Sequence, residues 1–492
     1  MNLIIFPVIL YLFSAFFIAL ALKENEKLSG IACFSFSILS FISVILIGKY
    51  LILNERIIYF VGGWKIPIGI TLMVDNLSFI FLFILNLLLP LICWFSFSYM
   101  ERYLKAGYFY ILFSLISAGL NGILISMDFF NIYVFLEISS IASYILVSFG
   151  LRIEELEASL KYTILGVIGS AFILIGIGLI LGKTGTLNIA DFTFIAKNIE
   201  KKQLWFILGL FIAGFGFKCA LFPFHFWLPD AHSLAPSPVS AILSGIFIKI
   251  TGFYLLIRIV SNIFIMFPES KVILIGLGLV SMIYGAIMAI EQNDIKRIYA
   301  YSSISQMGYC VLSLGIGGYW GYLGAILHFI FHSLSKSLLF LNSGIIEYKY
   351  GTTKIEKLNN LVEEMPYTST TGFIGMLSLA GIPPFGCFWS KIIIIIGAIM
   401  SHYYGISFIC VIVSIITLGY FLKLQRNIFY SKSEGVKTGE NNEFNLNLLM
   451  PVIILSIFIF LSGIIFSPYY KIWIDKAVKN IESFSYESLM EK

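Results

Sequence analysis

Long apolar runs separated by short polar turns recur from one end of the chain to the other. A membrane-spanning helix needs about 20 mostly apolar residues. On that rule about 14 spans are predicted, at 3–22, 29–52, 74–97, 107–127, 129–150, 160–183, 203–222, 237–258, 271–290, 297–316, 319–342, 367–400, 404–424 and 448–467. The first reads as a helix rather than a secretory leader, although Ala19-Leu20-Ala21 resembles a cleavage site. No Lys or Arg precedes Lys23, and the run is too long for a leader's apolar region. Residues 53–73 mix Gly, Pro and β-branched residues and are expected to form an extracytoplasmic hairpin or loop.

Two spans are interrupted. Span seven breaks at Pro223, within GFGFKCALFPFHFWLPDAHSLAPSPVSAILSGIFIK (214–249). Span twelve is too long for one helix and holds Gly381-Ile382-Pro383-Pro384. Prolines inside a helix remove backbone bonds, so both are expected to be discontinuous. Because they lie five spans apart, spans 4–8 and 9–13 read as two five-helix units, the second inverted relative to the first. Paired interruptions in corresponding places point to a transport site near the bilayer midplane. The expected organisation is an all-α integral membrane protein. Residues 1–106 hold the first three spans, 107–262 the first repeat, 271–427 the second, and 444–492 a last helix and an amphipathic tail. Lys and Arg are in excess by about six in the loops after odd-numbered spans, which places those loops, 431–443 included, in the cytoplasm and both termini outside.

Composition agrees: 59% of the 492 residues are hydrophobic and 12% charged, whereas soluble chains are about 25% charged. Mean hydropathy is +0.94. No polar segment is long enough for a soluble domain. The net charge of +5 is spread over the loops and gives no sign of a nucleic-acid partner. The six cysteines lie in apolar runs without a C-x-x-C pair, which argues against iron–sulfur or zinc ligation, and no other cofactor motif is present.

The exceptional residues are charges inside spans: Lys218, Lys249, Lys336, Lys391 and Glu137. A cation at membrane depth costs about 3 kcal/mol on insertion scales. Snorkelling or a structural ion pair is the alternative to charge transfer. Lys249, about twelve residues from either end of its span, is too deep to snorkel at 1.5 Å per residue. Freed carbonyls at the broken helix end are expected to stabilise Lys218. His328, His332 and Lys336 follow at i, i+4 and i+8, on one helix face. Such a row suits a proton relay; a metal pair or a histidine filling a polar gap are the alternatives. Asp230 and His232 enter a turn, where Asp230 caps or carries charge. The Asp294-Ile-Lys296-Arg297 cluster reads as a structural cytoplasmic turn, and His402 as an interfacial residue at a span end.

The 214–249 stretch, DIKRIYAYSSISQMGY (294–309), HSLSKSLLFLNSG (332–344) and GIPPFGCFWSK (381–391) resemble the antiporter-like subunits of the complex I superfamily. That family comprises proton-pumping subunits of NADH–quinone oxidoreductase, Mrp sodium/proton antiporter subunits and membrane arms of group 4 hydrogenases. The likeness covers about 70–430. DFFNIYVFLEISSIASYILV (128–147) resembles the family's fifth helix, with Leu136 where many members carry an aromatic residue; Ser335 stands where many carry a large apolar one. The resemblance implies that Glu137 and Lys218 are an ion-paired pumping couple and Lys249 the central relay lysine. It makes His328, His332 and Lys336 the connecting axis and Lys391 the lysine of the second broken helix.

The function expected is proton, or other cation, translocation as a non-redox subunit of a larger membrane complex, without metal or cofactor. Its partners would be other membrane subunits, homologous antiporter-like ones among them, with lipid around and protons or Na+ as cargo, in the plasma membrane. A stand-alone secondary transporter and a quinone-binding redox subunit are the alternatives.

Overall fold

The computed structural model describes residues 2–64, 66–263, 267–430, 443, 445–464 and 468–482. Apart from Glu443, the predicted 431–443 turn lies outside these residues. Helices α1 (Leu3–Leu22) and α2 (Glu26–Leu53) lead into a hairpin of β1 (Arg56–Phe60) and β2 (Thr71–Asp75), paired antiparallel with Arg56 opposite Asp75. The expected 53–73 hairpin is thus present. Helix α3 (Asn76–Tyr99) starts where Asp75 accepts from the Ser78 amide at 2.8 Å and the Ser78 hydroxyl faces the Asp75 amide, a reciprocal cap.

The bundle continues through α4 (Ala106–Ile125), α5 (Phe129–Val147), α6 (Ile153–Thr184), α7 (Lys201–Cys219), the short α8 (Leu228–Leu234) and α9 (Ser237–Ile259). Then follow α10 (Ser270–Glu291), α11 (Ile295–Ile316), α12 (Gly318–Tyr350), α13 (Pro366–Ala380), α14 (Gly386–Met400), α15 (Tyr404–Phe429), α16 (Leu446–Ile464) and α17 (Pro468–Glu482). Among the described residues, 12 helices are long and apolar enough to cross a membrane. Helix α11 is not one of them because serines and Gln306 dilute its apolar content, yet it is buried along its whole length. Helix α12 is the pillar of the bundle, packing against α3, α9, α11, α13, α14, α16 and α17.

Both expected breaks are present and are made alike. Helix α7 ends at Ala220 and α13 at Gly381, each in the left-handed region, at φ 53° and 83°. Gly381 is required twice over: its φ disfavours a side chain, and a Cβ there would lie 3.0 Å from Lys391 Cδ.

A two-fold plan is written in the backbone. Asp128 pairs with Asn188 in an isolated antiparallel bridge and Asp294 with Lys354, so both partners recur after 166 residues. Asp128 caps α5 through the Asn131 amide, and Asp294 caps α11 through the Arg297 amide. Gly185 and Gly351, again 166 apart, close α6 and α12 at φ 70° and 68°. These landmarks match α5–α6 to α11–α12. On this offset Glu137 corresponds to Ser303, and Ser170 to Lys336.

The hairpin side is locked by an ion pair. Arg258 donates to Asp75 through Nη1 at 2.7 Å and Nη2 at 2.5 Å, and through Nε to Tyr254 Oη at 2.9 Å. Tyr254 in turn donates to the Leu124 carbonyl, so β2, α9 and α4 are tied together. Burial acts to raise the Asp75 carboxyl, but Arg258 and Ser78 outweigh it and hold it below the usual carboxylate range. A depressed carboxyl stabilises the fold above its unfolded pKa of about 4, and that contribution is lost only in more acidic solution. Asp75→Ala strands the guanidinium without its carboxylate, and should cost about 3–5 kcal/mol at neutral pH. Unfolding of the purified chain in detergent measures it; a loss below about 1 kcal/mol, the weight of an exposed pair, would contradict the assignment.

Candidate functional site

Lys218 sits in the last turn of α7, 3% exposed. Carbonyls freed at this helix end are already taken: Gly216 accepts from the Leu221 amide, and Phe217 from the Ala220 amide and Trp227 Nε1. The lysine therefore turns to α5, donating to Ser140 Oγ at 3.0 Å. Glu137 lies one turn back on the same helix, and its Oε1 has no hydrogen-bond partner among the described residues. Lys218 thus bonds Ser140, one turn from Glu137, rather than the Glu137 carboxylate. Carbonyl stabilisation falls instead to Lys391, whose ammonium on α14 donates to Leu379 at 2.8 Å and Ala380 at 3.2 Å, across the second break.

Lys249 is completely buried in α9. This helix widens into π turns at Leu243–Phe247 and Lys249–Tyr254. A π turn displaces carbonyls from the regular ladder, and such turns concentrate at functional sites. Lys249 Nζ takes two of these carbonyls, Ser244 at 2.6 Å and Gly245 at 2.7 Å. Gly252, one turn on, lets α9 close onto the end of α7, since a Cβ there would lie 2.6 Å from the Cys219 amide nitrogen.

Two serine hydroxyls lie between Lys249 and the next lysine, although Lys249 itself bonds the Ser244 carbonyl and not its hydroxyl. The Ser244 and Ser303 hydroxyls share a bond at 2.7 Å. Ser303 donates to the Tyr299 carbonyl at 2.9 Å. The same carbonyl accepts from Lys336 Nζ at 2.6 Å, and Lys336 also bonds Ser302 Oγ. On α12 the predicted face is present: the His328 and His332 rings stack at 5.9 Å. His328 bonds Ser390 Oγ at 2.9 Å and Gln306 Oε1 at 3.0 Å, and Ser390 precedes Lys391. Ser335, unusual for its place, joins α12 to α13 through Ser378 Oγ at 2.8 Å.

Several buried polar atoms along this axis lack a partner among the described residues: both ring nitrogens of His332 and of His232, Gln306 Nε2 and Ser337 Oγ. An unsatisfied buried group costs about 1–3 kcal/mol, and internal water commonly satisfies such atoms. Titratable groups joined by hydroxyls and water can pass protons from one to the next.

Sequence reading missed the serines and Gln306, because hydroxyls in apolar helices are common and only the fold shows which meet lysines. Ser303 was findable from the 166-residue offset, as the counterpart of Glu137. Lys296, expected in a structural cytoplasmic turn, is instead 1% exposed. Asp294 starts α11 just before it, so Lys296 points into the bundle, donating to the Ala235 carbonyl at 2.6 Å and Glu347 Oε2 at 3.3 Å. Asp230 binds Arg297 at 2.9 Å and Lys161 at 3.2 Å, a tie between turns. His402 is exposed between α14 and α15.

Residues 126–417 match the family model described as NADH:quinone oxidoreductase/Mrp antiporter, TM. The chain is 32% identical over 476 residues to NADH-quinone oxidoreductase subunit N of Desulforudis audaxviator, covering 91% of this chain and 93% of that one. It is 31% identical to the D-type subunit of the Na(+)/H(+) antiporter of Alkalihalophilus pseudofirmus, covering 92% of each. Its fold superposes on a chain of the Mrp complex from Dietzia sp. DQ12-45-1b with TM-score 0.89 at 25% identity, covering 99% of this chain and 98% of that one. A chain of the archaeal membrane-bound sulfane sulfur reductase gives TM-score 0.89 at 29% identity, with 99% of both covered. This multi-pass membrane chain belongs to the NADH:quinone oxidoreductase/Mrp antiporter transmembrane family.

Proposed function

We propose that the chain is an ion-translocating subunit of a multisubunit membrane complex. Protons move along an axis of Glu137, Lys218, Lys249, Lys336 with His332 and His328, and Lys391. The observation that carries this reading is that the buried Lys249 and Lys336 bond carbonyls of Ser244 and Tyr299, residues that Ser303 joins, beside buried polar atoms that internal water can bridge. Four ammonium groups and two imidazoles line the axis beside a single carboxylate, a set that exchanges protons. A metal cation of the sodium type would need several oxygen ligands around one point, which amines and imidazoles beside a single carboxylate do not supply. Coupling follows from electrostatics: the nearby Glu137 charge favours protonated Lys218, and its withdrawal lets a desolvated lysine release its proton.

The relatives' names describe subunits, and the matched folds come from membrane complexes. That supports other membrane subunits as partners, homologous antiporter-like ones included. In this reading α13 and α14 act as one broken crossing and α11 as another. The plasma-membrane bundle then has fourteen crossings and both termini outside.

The orientation predicts a labelling pattern. Trp64, in the hairpin loop, is 64% exposed and Leu104, between α3 and α4, is 93% exposed. With an impermeant thiol reagent on intact cells, Trp64→Cys should label and Leu104→Cys only after lysis; the reverse pattern would overturn the orientation. The six native cysteines are buried.

For the axis, proton uptake by vesicles holding the assembled complex should vanish in Lys249→Ala with complex abundance unchanged. Ser303→Ala should slow uptake by about five- to tenfold, the weight of one hydrogen bond. Wild-type uptake in Lys249→Ala would mean the lysine is bypassed, and loss of the complex from the membrane would assign it to folding.

A further inference from the structure

We infer that the groove between α2, α3, α12, α16 and α17 is a binding site for an anionic phospholipid of the hairpin-side leaflet. The groove has a volume of about 690 Å³. Among the described residues lining it, Lys49 is the only charge and Ser462 the only hydroxyl; the rest are Gly48 and apolar or aromatic side chains. Ile330 and Leu334 form its inner wall, on a different face of α12 from the histidines, so the groove is separate from the axis.

Dimensions decide the occupant. Along α2 the lining runs from Phe41 to Ile52. Eleven steps at 1.5 Å make about 16 Å, one leaflet of a hydrocarbon core about 30 Å thick. A lining that is apolar along one leaflet and carries its charge only near the interface end is the pattern of acyl chains below a headgroup. The polar groups sit at the end where a headgroup would lie. Lys49 is exposed four residues before α2 ends at Leu53, and Trp473 of α17 packs on Phe79 at 4.6 Å beside the first turn of α3. A cation with an indole at interface depth is the pairing that anchors anionic headgroups.

The test uses the full chain, purified in mild detergent and equilibrated with equal amounts of phosphatidylglycerol and phosphatidylcholine, with bound lipid counted by native mass spectrometry. One phospholipid should be retained, with phosphatidylglycerol preferred about fivefold, the effect of one lysine near an anionic headgroup. Lys49→Gln, a surface change that leaves the groove intact, should bring the two lipids to parity while retention persists. Ile45→Trp, which fills the groove from its exposed rim, should lose both lipids with an unchanged gel-filtration profile. No retained lipid in the wild type, full retention in Ile45→Trp, or an unchanged preference in Lys49→Gln would overturn the site. A cross-link from Ile45→Cys to another subunit in the assembled complex would overturn it as well, by placing protein where lipid is assigned.

Discussion

Four ammonium groups buried among apolar helices set the terms for this fold. Each must find oxygen acceptors where water is scarce, and regular helices offer few because their carbonyls are already bonded. The chain supplies acceptors for two of the four by departing from regular helix, and for the other two through serine hydroxyls and one helical carbonyl. Lys391 uses carbonyls released by the second break, and Lys249 those released by π turns in its own helix. Lys336 uses the Tyr299 carbonyl and Ser302, and Lys218 the hydroxyl of Ser140. The broken and widened helices are therefore parts of the lysine sites, and the rest of the bundle holds them in register.

The two repeats share a frame and differ in chemistry. Asp128 and Asp294 begin equivalent helices, and Gly185 and Gly351 end equivalent ones. Yet the carboxylate at Glu137 becomes the hydroxyl of Ser303, and the ammonium at Lys336 corresponds to the unpartnered Ser170. The first half thus holds the one carboxylate of the axis among the described residues, Glu137, one turn from the Ser140 that Lys218 bonds. In the proposed reading this asymmetry makes the first half the place where an external event is felt.

Much of this was legible in the sequence because the signals are local. Apolar runs marked the spans, Pro223 and Pro383-Pro384 the breaks, and Gly, Pro and β-branched residues the hairpin. The i, i+4, i+8 spacing of His328, His332 and Lys336 fixed their shared face. What was not legible depends on contacts across the bundle. Nothing near Lys218 in sequence shows that Trp227 has taken the carbonyl it would otherwise use. Lys296 looked like a loop cation because it stands beside Arg297; only the Asp294 cap and distant Glu347 place it inside. The π turns of α9 leave no mark on its hydrophobic pattern, since widening by one residue keeps every side chain buried.

The central claim is that Glu137 and Lys218 form a working couple and not a static bridge. The direct measurement is proton uptake by vesicles carrying the assembled complex, divided by complex abundance, for Glu137→Gln and Glu137→Asp. Lys218 keeps its Ser140 bond and can shed its proton, so the complex should assemble in both variants. Ions moved per turnover should fall sharply in Glu137→Gln and in part return in Glu137→Asp, which keeps the charge one methylene shorter. Near-normal pumping by Glu137→Gln would contradict the account, and so would loss of the complex, the behaviour of a structural pair whose removal costs about 3–5 kcal/mol.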